Sequence, residues 1–210
     1  MTDELVFYTN PMSRGRIVRW MLEEVGAPYR TEVVAYDGAM QAPAYLAINP
    51  MGKVPAITHR GSVVTECAAI CAYLADAFPD AGLAPALTDR AAYYRWLFFA
   101  AGPLEAAVTD KSLGVEVPAD KQAMVGYRTL DAAVATLESA LENGPHILGE
   151  KFSAADVYVG SHIAWGLLFG SLPKRPAFEA YAARLHDRPA AIRARGIDDA
   201  LLPEDKRGVI

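Results

Sequence analysis

The sequence predicts two domains of different class, a small mixed α/β domain followed by an all-helical one. Three observations carry this reading: a β-α-β pattern in the first 34 residues, a proline inside a strand-like run followed by a Gly-containing reversal, and no convincing strand after residue 89. With 210 residues and 52% apolar content, the chain can bury a substantial core.

Leu5–Thr9 is a strand candidate, short, apolar and aromatic, and Asn10-Pro11-Met12 breaks it. Ser13 can cap a helix whose apolar positions Ile17, Val18, Met21, Leu22 and Val25 recur at helical spacing, and Gly26-Ala27-Pro28 stops it. Tyr29–Val34 reads as a second strand, parallel to the first through a right-handed crossover. Residues 35–48 have turn and short-helix character, with Asp37-Gly38 at a bend. A strand through Ala56–Thr58, a reversal at His59–Ser62 and a strand at Val63–Val64 lead into a helix over Thr65–Ala77, ended by Phe78-Pro79. The first domain is therefore β-α-β-α-β-β-α.

Pro55 is unusual in this order because a proline cannot donate to a sheet ladder. Its nitrogen faces away from a partner or its peptide bond is cis. Either choice leaves the backbone N–H and C=O of Val54 at an open edge, where an extended peptide ligand could pair with them. The plainer alternative is a rigid turn with no ligand.

Pro79-Asp80-Ala81-Gly82-Leu83-Ala84-Pro85 is a linker by composition, so the expected domains are residues 1–80 and 89–210, joined by 81–88. Helices are predicted over 89–112, 119–143, 154–171, 174–186 and 189–194. The second carries an apolar stripe of Leu130, Val134, Leu137 and Leu141 and ends sharply at Asn143-Gly144-Pro145. In Phe152-Ser153-Ala154-Ala155-Asp156-Val157, Ser153 and Asp156 form an aspartate version of the capping box, with Phe152 and Val157 at the staple positions. Asp156 thereby reads as structural, and the apolar run after it as the core helix of the second domain.

A net charge of -5 and a pI near 5.4 argue against nucleic acid or anionic membrane as the main partner. The opening Met1-Thr2-Asp3-Glu4 lacks signal-peptide character and no apolar run is long enough to span a bilayer, which predicts a soluble cytoplasmic protein. Cys67 and Cys71, four apart on a helix, read as small packing residues in a reducing compartment, since that spacing is poor for a disulfide. The four histidines, His59, His146, His162 and His186, are scattered without partners at ligand spacing, so no metal site is expected.

Three segments in this order, Asn49-Pro50-Met51-Gly52-Lys53-Val54-Pro55-Ala56, Glu66-Cys67-Ala68-Ala69-Ile70-Cys71-Ala72-Tyr73-Leu74 and Gly149-Glu150-Lys151-Phe152-Ser153-Ala154-Ala155-Asp156, resemble the soluble glutathione transferases over residues 4–195. The resemblance implies a thioredoxin-like glutathione-binding domain, an all-helical domain supplying most of the electrophile pocket, and a homodimer. Val54, beside a cis Pro55, would pair with the cysteinyl part of glutathione, and Glu66 would receive the γ-glutamyl ammonium. Cys67 stands where the family usually has serine or threonine, so a strong hydroxyl donor to the γ-glutamyl carboxylate is replaced by a weaker thiol. Lys53 could approach the glycyl carboxylate or the cysteinyl region, or be a solvated turn lysine.

The thiol-activating residue lies, by the same resemblance, after the first strand. Ser13 fits the serine-type pattern and would act as a hydrogen-bond donor to thiolate, with an N-cap as its plain alternative. Arg14-Gly15-Arg16 also resembles tyrosine-type members, whose tyrosine falls on Asn10 in an ungapped match and on Tyr8 only after a shift; Asn10 and Thr9 are further possible donors, and Arg14 or Arg16 could add positive potential. Family geometry points to Met12, Phe98, Phe99, Leu104, Val108, Trp165 and Phe169 for a small hydrophobic electrophile, although helical spacing also suits core or dimer-interface roles. The implied function is conjugation of glutathione to such an electrophile. The alternatives are a glutathione-dependent disulfide or peroxide reductase and a non-catalytic binding or assembly protein.

Overall fold

The computed structural model describes residues 3–208 and contains two compact units, Met1–Leu83 with Asp187–Ile210, and Ala84–His186. In the first unit, β1 (Val6–Thr9), α1 (Gly15–Val25) and β2 (Arg30–Val33) form the expected β-α-β, with β1 and β2 parallel. A short α2 (Pro43–Leu46) precedes β3 (Ala56–His59), β4 (Ser62–Thr65) and α3 (Cys67–Ala77). Sheet order is β2-β1-β3-β4, with β3 antiparallel to both neighbours. Phe7, Ile17, Met21, Leu22, Ile57, Ile70 and Leu74 are fully buried as the core of this unit. The β3–β4 reversal is a two-residue turn with φ of 53° at Arg60 and 78° at Gly61, a geometry that matches the twist of a hairpin.

His59 closes that hairpin and its ring is buried, stacked on Phe78 at 5.5 Å and bonded through Nδ1 to the Tyr73 hydroxyl at 3.0 Å. Burial, reinforced by Arg60 and opposed by Asp3, holds its pKa below the ordinary histidine value. A depressed folded pKa means that the unfolded chain binds the proton first. Stability from neutral His59 is therefore present above about pH 6.5 and lost as pH falls through the folded value. Urea denaturation between about pH 7 and about pH 5 should show a decline that His59→Gln flattens; an identical slope in the variant would remove His59 as its source.

The C-terminal segment departs from the sequence expectation. Residues 187–210, assigned by sequence to the second domain, pack with the first unit, and their helix runs over Pro189–Ala200 instead of stopping at 194. Its charge partners lie on α1: Arg16 with Asp199 at 2.7 Å, Arg19 with Asp198 at 3.1 Å, Glu23 with Arg193 at 3.1 Å and Glu24 with Arg188 at 2.6 Å. These partners are far apart in sequence, so no local pattern announces them.

The second unit is all-helical: α4 (Ala91–Phe99), α5 (Glu105–Ser112), α6 (Leu130–Ala140), α7 (Ala154–Leu168) and α8 (Pro176–His186), with the C-terminal helix of the first unit as α9. Two predicted helices are revised. The one over 89–112 is interrupted by a π-helical turn at Ala100–Leu104, where Pro103 lacks the N–H that a regular helix uses. The one over 119–143 begins only at Leu130, because Arg128 takes φ 60° and Thr129 is extended and caps the helix, accepting from Ala132 N. The apolar stripe that predicted this helix itself starts at Leu130. Ser153 and Asp156 form the reciprocal capping box at the start of α7. Among the described residues, no helix is long and apolar enough to cross a membrane.

Candidate functional site

Pro55 ends a turn built to hold its backbone. The Lys53 carbonyl accepts from the Tyr45 hydroxyl at 2.7 Å and from Asn49 Nδ2 at 2.8 Å. Gly52 has φ 59°, and a Cβ there would come within 2.3 Å of the Gln41 side chain and 2.9 Å of the Met40 carbonyl oxygen, so only glycine fits without rearrangement. The Val54-Pro55 peptide is cis. Ladder pairing begins at Ala56, opposite Tyr8 and Thr65, which leaves Val54 outside the β registers. The Val54 side chain is half-buried against the cluster of Val34, Met40 and Tyr45. The Lys53 side chain is exposed.

Glu66 follows β4 with φ 67° and ψ 119°, a conformation rare for a residue with a side chain and one that marks functional sites more often than chance. Its carboxylate is exposed and makes no capping bond at α3. The first N–H groups of α3 are those that helix geometry leaves without intrahelical partners. Cys67 is buried, and its Sγ reaches the Arg14 carbonyl oxygen at 3.6 Å, tying α3 to the start of α1. Burial pushes the Cys71 thiol well above its usual pKa, with Cys67 adding to the effect, so Cys71 is an inert core thiol. Neither cysteine is in a disulfide.

The four residues considered for thiol activation have different settings. Ser13 is half-buried, and its hydroxyl is engaged, donating to the Asn10 carbonyl at 2.6 Å and accepting from Gly15 N at 2.9 Å. Its hydroxyl thus bridges the Asn10 carbonyl and the first residue of α1. Asn10 is buried; its Nδ2 donates to the Val34 carbonyl and its Oδ1 accepts from Met12 N. Thr9 is fully buried with its hydroxyl against Gly15, where a Cβ would lie 1.9 Å from Oγ1, so it cannot reach a ligand. Tyr8 is half-buried in a tilted ring contact with Tyr45 at 6.0 Å. Arg14 is exposed, whereas Arg16 is buried and donates to the Pro11 carbonyl and to Asp199.

Residues 12–77, which span this whole arrangement, match the glutathione S-transferase N-terminal domain. Across nearly the full chain, the fold matches a Sulfitobacter glutathione transferase homologue solved with bound glutathione, at 26% identity and TM-score 0.75, covering 93% of this chain and 99% of that one. A sphingomonad glutathione S-transferase complexed with glutathione matches at 29% identity and TM-score 0.73, covering 92% and 98%. The fold is that of the glutathione transferases. Among the proteins similar to this chain are glutathione S-transferase GstA of Escherichia coli O157:H7, 29% identical over 73% of this chain and 79% of that protein, and disulfide-bond oxidoreductase YfcG of E. coli K12, 29% identical over 89% and 92%.

For a glutathione transferase, the residues expected on the electrophile side are mixed in character. Phe98 and Phe169 are 70% and 62% exposed, and Met12 is also exposed. Phe99, Val108 and Trp165 are half-buried. Leu104 is corrected to a core residue: it is fully buried, because the π-helical turn directs it inward, and it cannot line an open pocket. A cavity of about 490 Å³ in the helical unit, lined by Lys111, Glu116, Tyr127 and Arg128 among others, shares no residue with this set. A pairing the sequence did not announce is that of Glu105 and His162, whose Oε2 and Nε2 lie 3.8 Å apart between α5 and α7. They are remote in sequence, and only the packing of the two helices pairs them. Among the described residues, no group of three or more His, Cys, Asp or Glu is placed to hold a metal ion.

Proposed function

We propose that the protein binds glutathione along Val54-Pro55 and Glu66 and conjugates its thiolate to a hydrophobic electrophile. The observation that carries this is the conjunction of a strand end outside the ladder at Val54, the exposed Glu66 carboxylate at positive φ, and the helix start behind it at Cys67, all on one 14-residue stretch. A peptide-like ligand offers a backbone for Val54, an ammonium for Glu66 and a carboxylate for the α3 N–H groups. Lys53 extends its ammonium into solvent beside them. Cys67 offers sulfur where a hydroxyl would bond more strongly, so affinity rests more heavily on Glu66 and the backbone. Phe99, Val108, Trp165 and Phe169 supply the apolar surface for the second substrate, and Tyr94 and Phe98, exposed on adjacent turns of α4, suit the face of a cytoplasmic homodimer.

Ser13 is the thiolate donor in this reading. Rotation of its O–H away from the Asn10 carbonyl exchanges one neutral hydrogen bond for a stronger one to an anion. Stabilising the thiolate lowers the thiol pKa from about 8.5 and raises the nucleophile's population at neutral pH. Calorimetric titration with glutathione, ultraviolet pH titration of the bound thiol and an aryl-halide assay test the reading together. Ser13→Ala should cut aryl-halide turnover by about 10- to 100-fold while glutathione affinity changes little. Equal turnover would move the role to Tyr8 or Asn10, and no binding at millimolar glutathione would leave a repurposed fold.

A second reading, a glutathione-dependent disulfide reductase, is favoured by the likeness to the E. coli disulfide-bond oxidoreductase. With serine at position 13, no protein mixed disulfide would form there. One glutathione thiolate would attack the substrate disulfide, and a second would resolve the mixed disulfide to glutathione disulfide and the free thiol. Turnover of a small disulfide without aryl-halide conjugation would select this reading.

A further inference from the structure

We propose that the helical unit carries a second small-molecule site, in the cavity between α5 and its connection to α6. The ligand it fits is a zwitterion with an apolar side chain, that is, a hydrophobic amino acid. The site lies wholly within the unit Ala84–His186 and does not depend on the glutathione reading. The cavity holds about 490 Å³, within the range of small-molecule pockets. Its walls are the last turns of α5, the connection over residues 113–129 and the first residue of α6. That connection, with a single 3-10 turn at Ala119–Lys121, is longer than the about 12–15 residues beyond which loops are uncommon and often functional.

The connection is tied back onto α5 by its own bonds. It leaves α5 through Gly114 at φ 70° and turns into α6 through Arg128 at φ 60°. Near its start, Val115 N donates to the Asp110 carbonyl at 2.8 Å; near its end, the Tyr127 hydroxyl donates to Asp110 Oδ2 at 2.6 Å. Both ends are thus pinned to one residue of α5, and the walls of the cavity are fixed by the protein itself. A left-handed φ is uncommon for a residue with a side chain. Here it sets Arg128 on the cavity wall while Thr129 turns to cap α6.

The lining contains three kinds of group. Ala107, Val117 and Leu130 supply apolar surface. Asp110, Tyr127 and Thr129 commit polar atoms to the fold: Asp110 accepts from Tyr127, and Thr129 Oγ1 accepts from Ala132 N at 3.1 Å. Lys111, Glu116 and Arg128 enter no ion pair among the described residues, so they bring both signs of charge to one cavity without neutralising each other. A ligand with only a carboxylate would meet Glu116, and one with only an amine would meet Lys111 and Arg128. A zwitterion answers both signs, its carboxylate accepting from Arg128 or Lys111 and its ammonium donating to Glu116. Its apolar side chain leaves water for the surface of Ala107, Val117 and Leu130. Solvation alone accounts for exposed charges on a loop, but not for a loop pinned at both ends to α5 around a hollow with apolar lining.

The test is calorimetric titration of the full chain with three probes that share one ring: L-phenylalanine, 3-phenylpropionate with the carboxylate alone, and phenethylamine with the amine alone. Phenylalanine should bind more tightly than either analogue by about threefold or more, the size of one partly exposed charge contact. Arg128→Gln should weaken phenylalanine and 3-phenylpropionate and leave phenethylamine unchanged. Glu116→Gln should weaken phenylalanine and phenethylamine and leave 3-phenylpropionate unchanged. Both side chains are exposed, so the variants should fold, and circular dichroism checks this. Saturating glutathione should not alter phenylalanine affinity, which separates this cavity from the Val54–Glu66 stretch. Absence of phenylalanine binding up to about 10 mM overturns the assignment. So does 3-phenylpropionate binding as tightly as phenylalanine, affinity that neither variant changes, or displacement by glutathione. None of these outcomes touches the glutathione reading, which a protein that fails to bind glutathione would remove on its own.

Discussion

Asp156→Ala is expected to destabilise the helical unit by about 3–5 kcal/mol, among the largest effects any single substitution here would have. The carboxylate is completely buried and accepts from Ile147 N at 2.7 Å, Ser153 N at 2.8 Å, Ser153 Oγ at 3.1 Å and the Tyr181 hydroxyl at 2.7 Å. Removing it leaves two backbone N–H groups and a phenol with no acceptor in an apolar interior, each costing about 1–3 kcal/mol. Tyr181→Phe removes one donor and leaves the other bonds, so a loss of about 1 kcal/mol is expected. Urea denaturation of the set, followed by circular dichroism, provides the comparison. An Asp156→Ala value no larger than that of Tyr181→Phe would show that water replaces the carboxylate. The functional consequence is indirect: α7 carries Trp165, proposed for the electrophile surface, and its first turn is oriented by this network.

Arg19→Met is expected to cost about 3–5 kcal/mol at neutral pH and to loosen α9 from α1. Arg19 and Asp198 have side chains 1% exposed and are joined at 3.1 Å. Arg19 also donates to the Thr31 hydroxyl at 2.7 Å and the Tyr29 hydroxyl at 3.2 Å, and lies over the Phe7 ring at 4.9 Å. Burial raises the Asp198 pKa above the ordinary carboxylate value, with Arg19 and Arg16 opposing it. Without Arg19 the buried anion loses its closest counter-charge. A raised folded pKa gives the sign: protonated Asp198 favours the folded state, so the variant's deficit should shrink as pH falls toward about 4. Arg19→Met combined with Asp198→Leu should recover most of the loss, since an apolar pair of similar volume needs no desolvation of charge. A deficit that stays constant with pH, or a double variant no better than the single, would assign the effect to the lost bonds with Thr31 and Tyr29.

Both predictions concern buried charge, and the two residues were legible in the sequence to different degrees. Asp156 stands three residues after Ser153 at a helix start, so its capping role follows from spacing alone; its bonds to Ile147 and Tyr181 do not. Asp198 carries no such local signal, because its partner is on α1 and only tertiary packing joins them. Ser13 shows the same division. Its position after β1 and before α1 was readable, whereas the two hydrogen bonds that occupy its hydroxyl depend on where the Asn10 carbonyl turns.

What the sequence by itself determined is the order and class of the elements: the β-α-β opening, the Val54-Pro55 turn, the hairpin into Glu66 and Cys67, the Ser153–Asp156 cap, and with them the likeness to the glutathione transferases. These rest on local physics, on side-chain period, on the missing N–H of proline and on capping within three or four residues. The tertiary structure alone decided that 187–210 belongs with the first unit, that Leu104 is core, that the helix predicted over 89–112 is broken by a π-turn, and that Glu105 faces His162. Each of these depends on groups distant along the chain meeting in a low-dielectric interior, where ion pairs and orphaned polar atoms weigh most and the local pattern is silent.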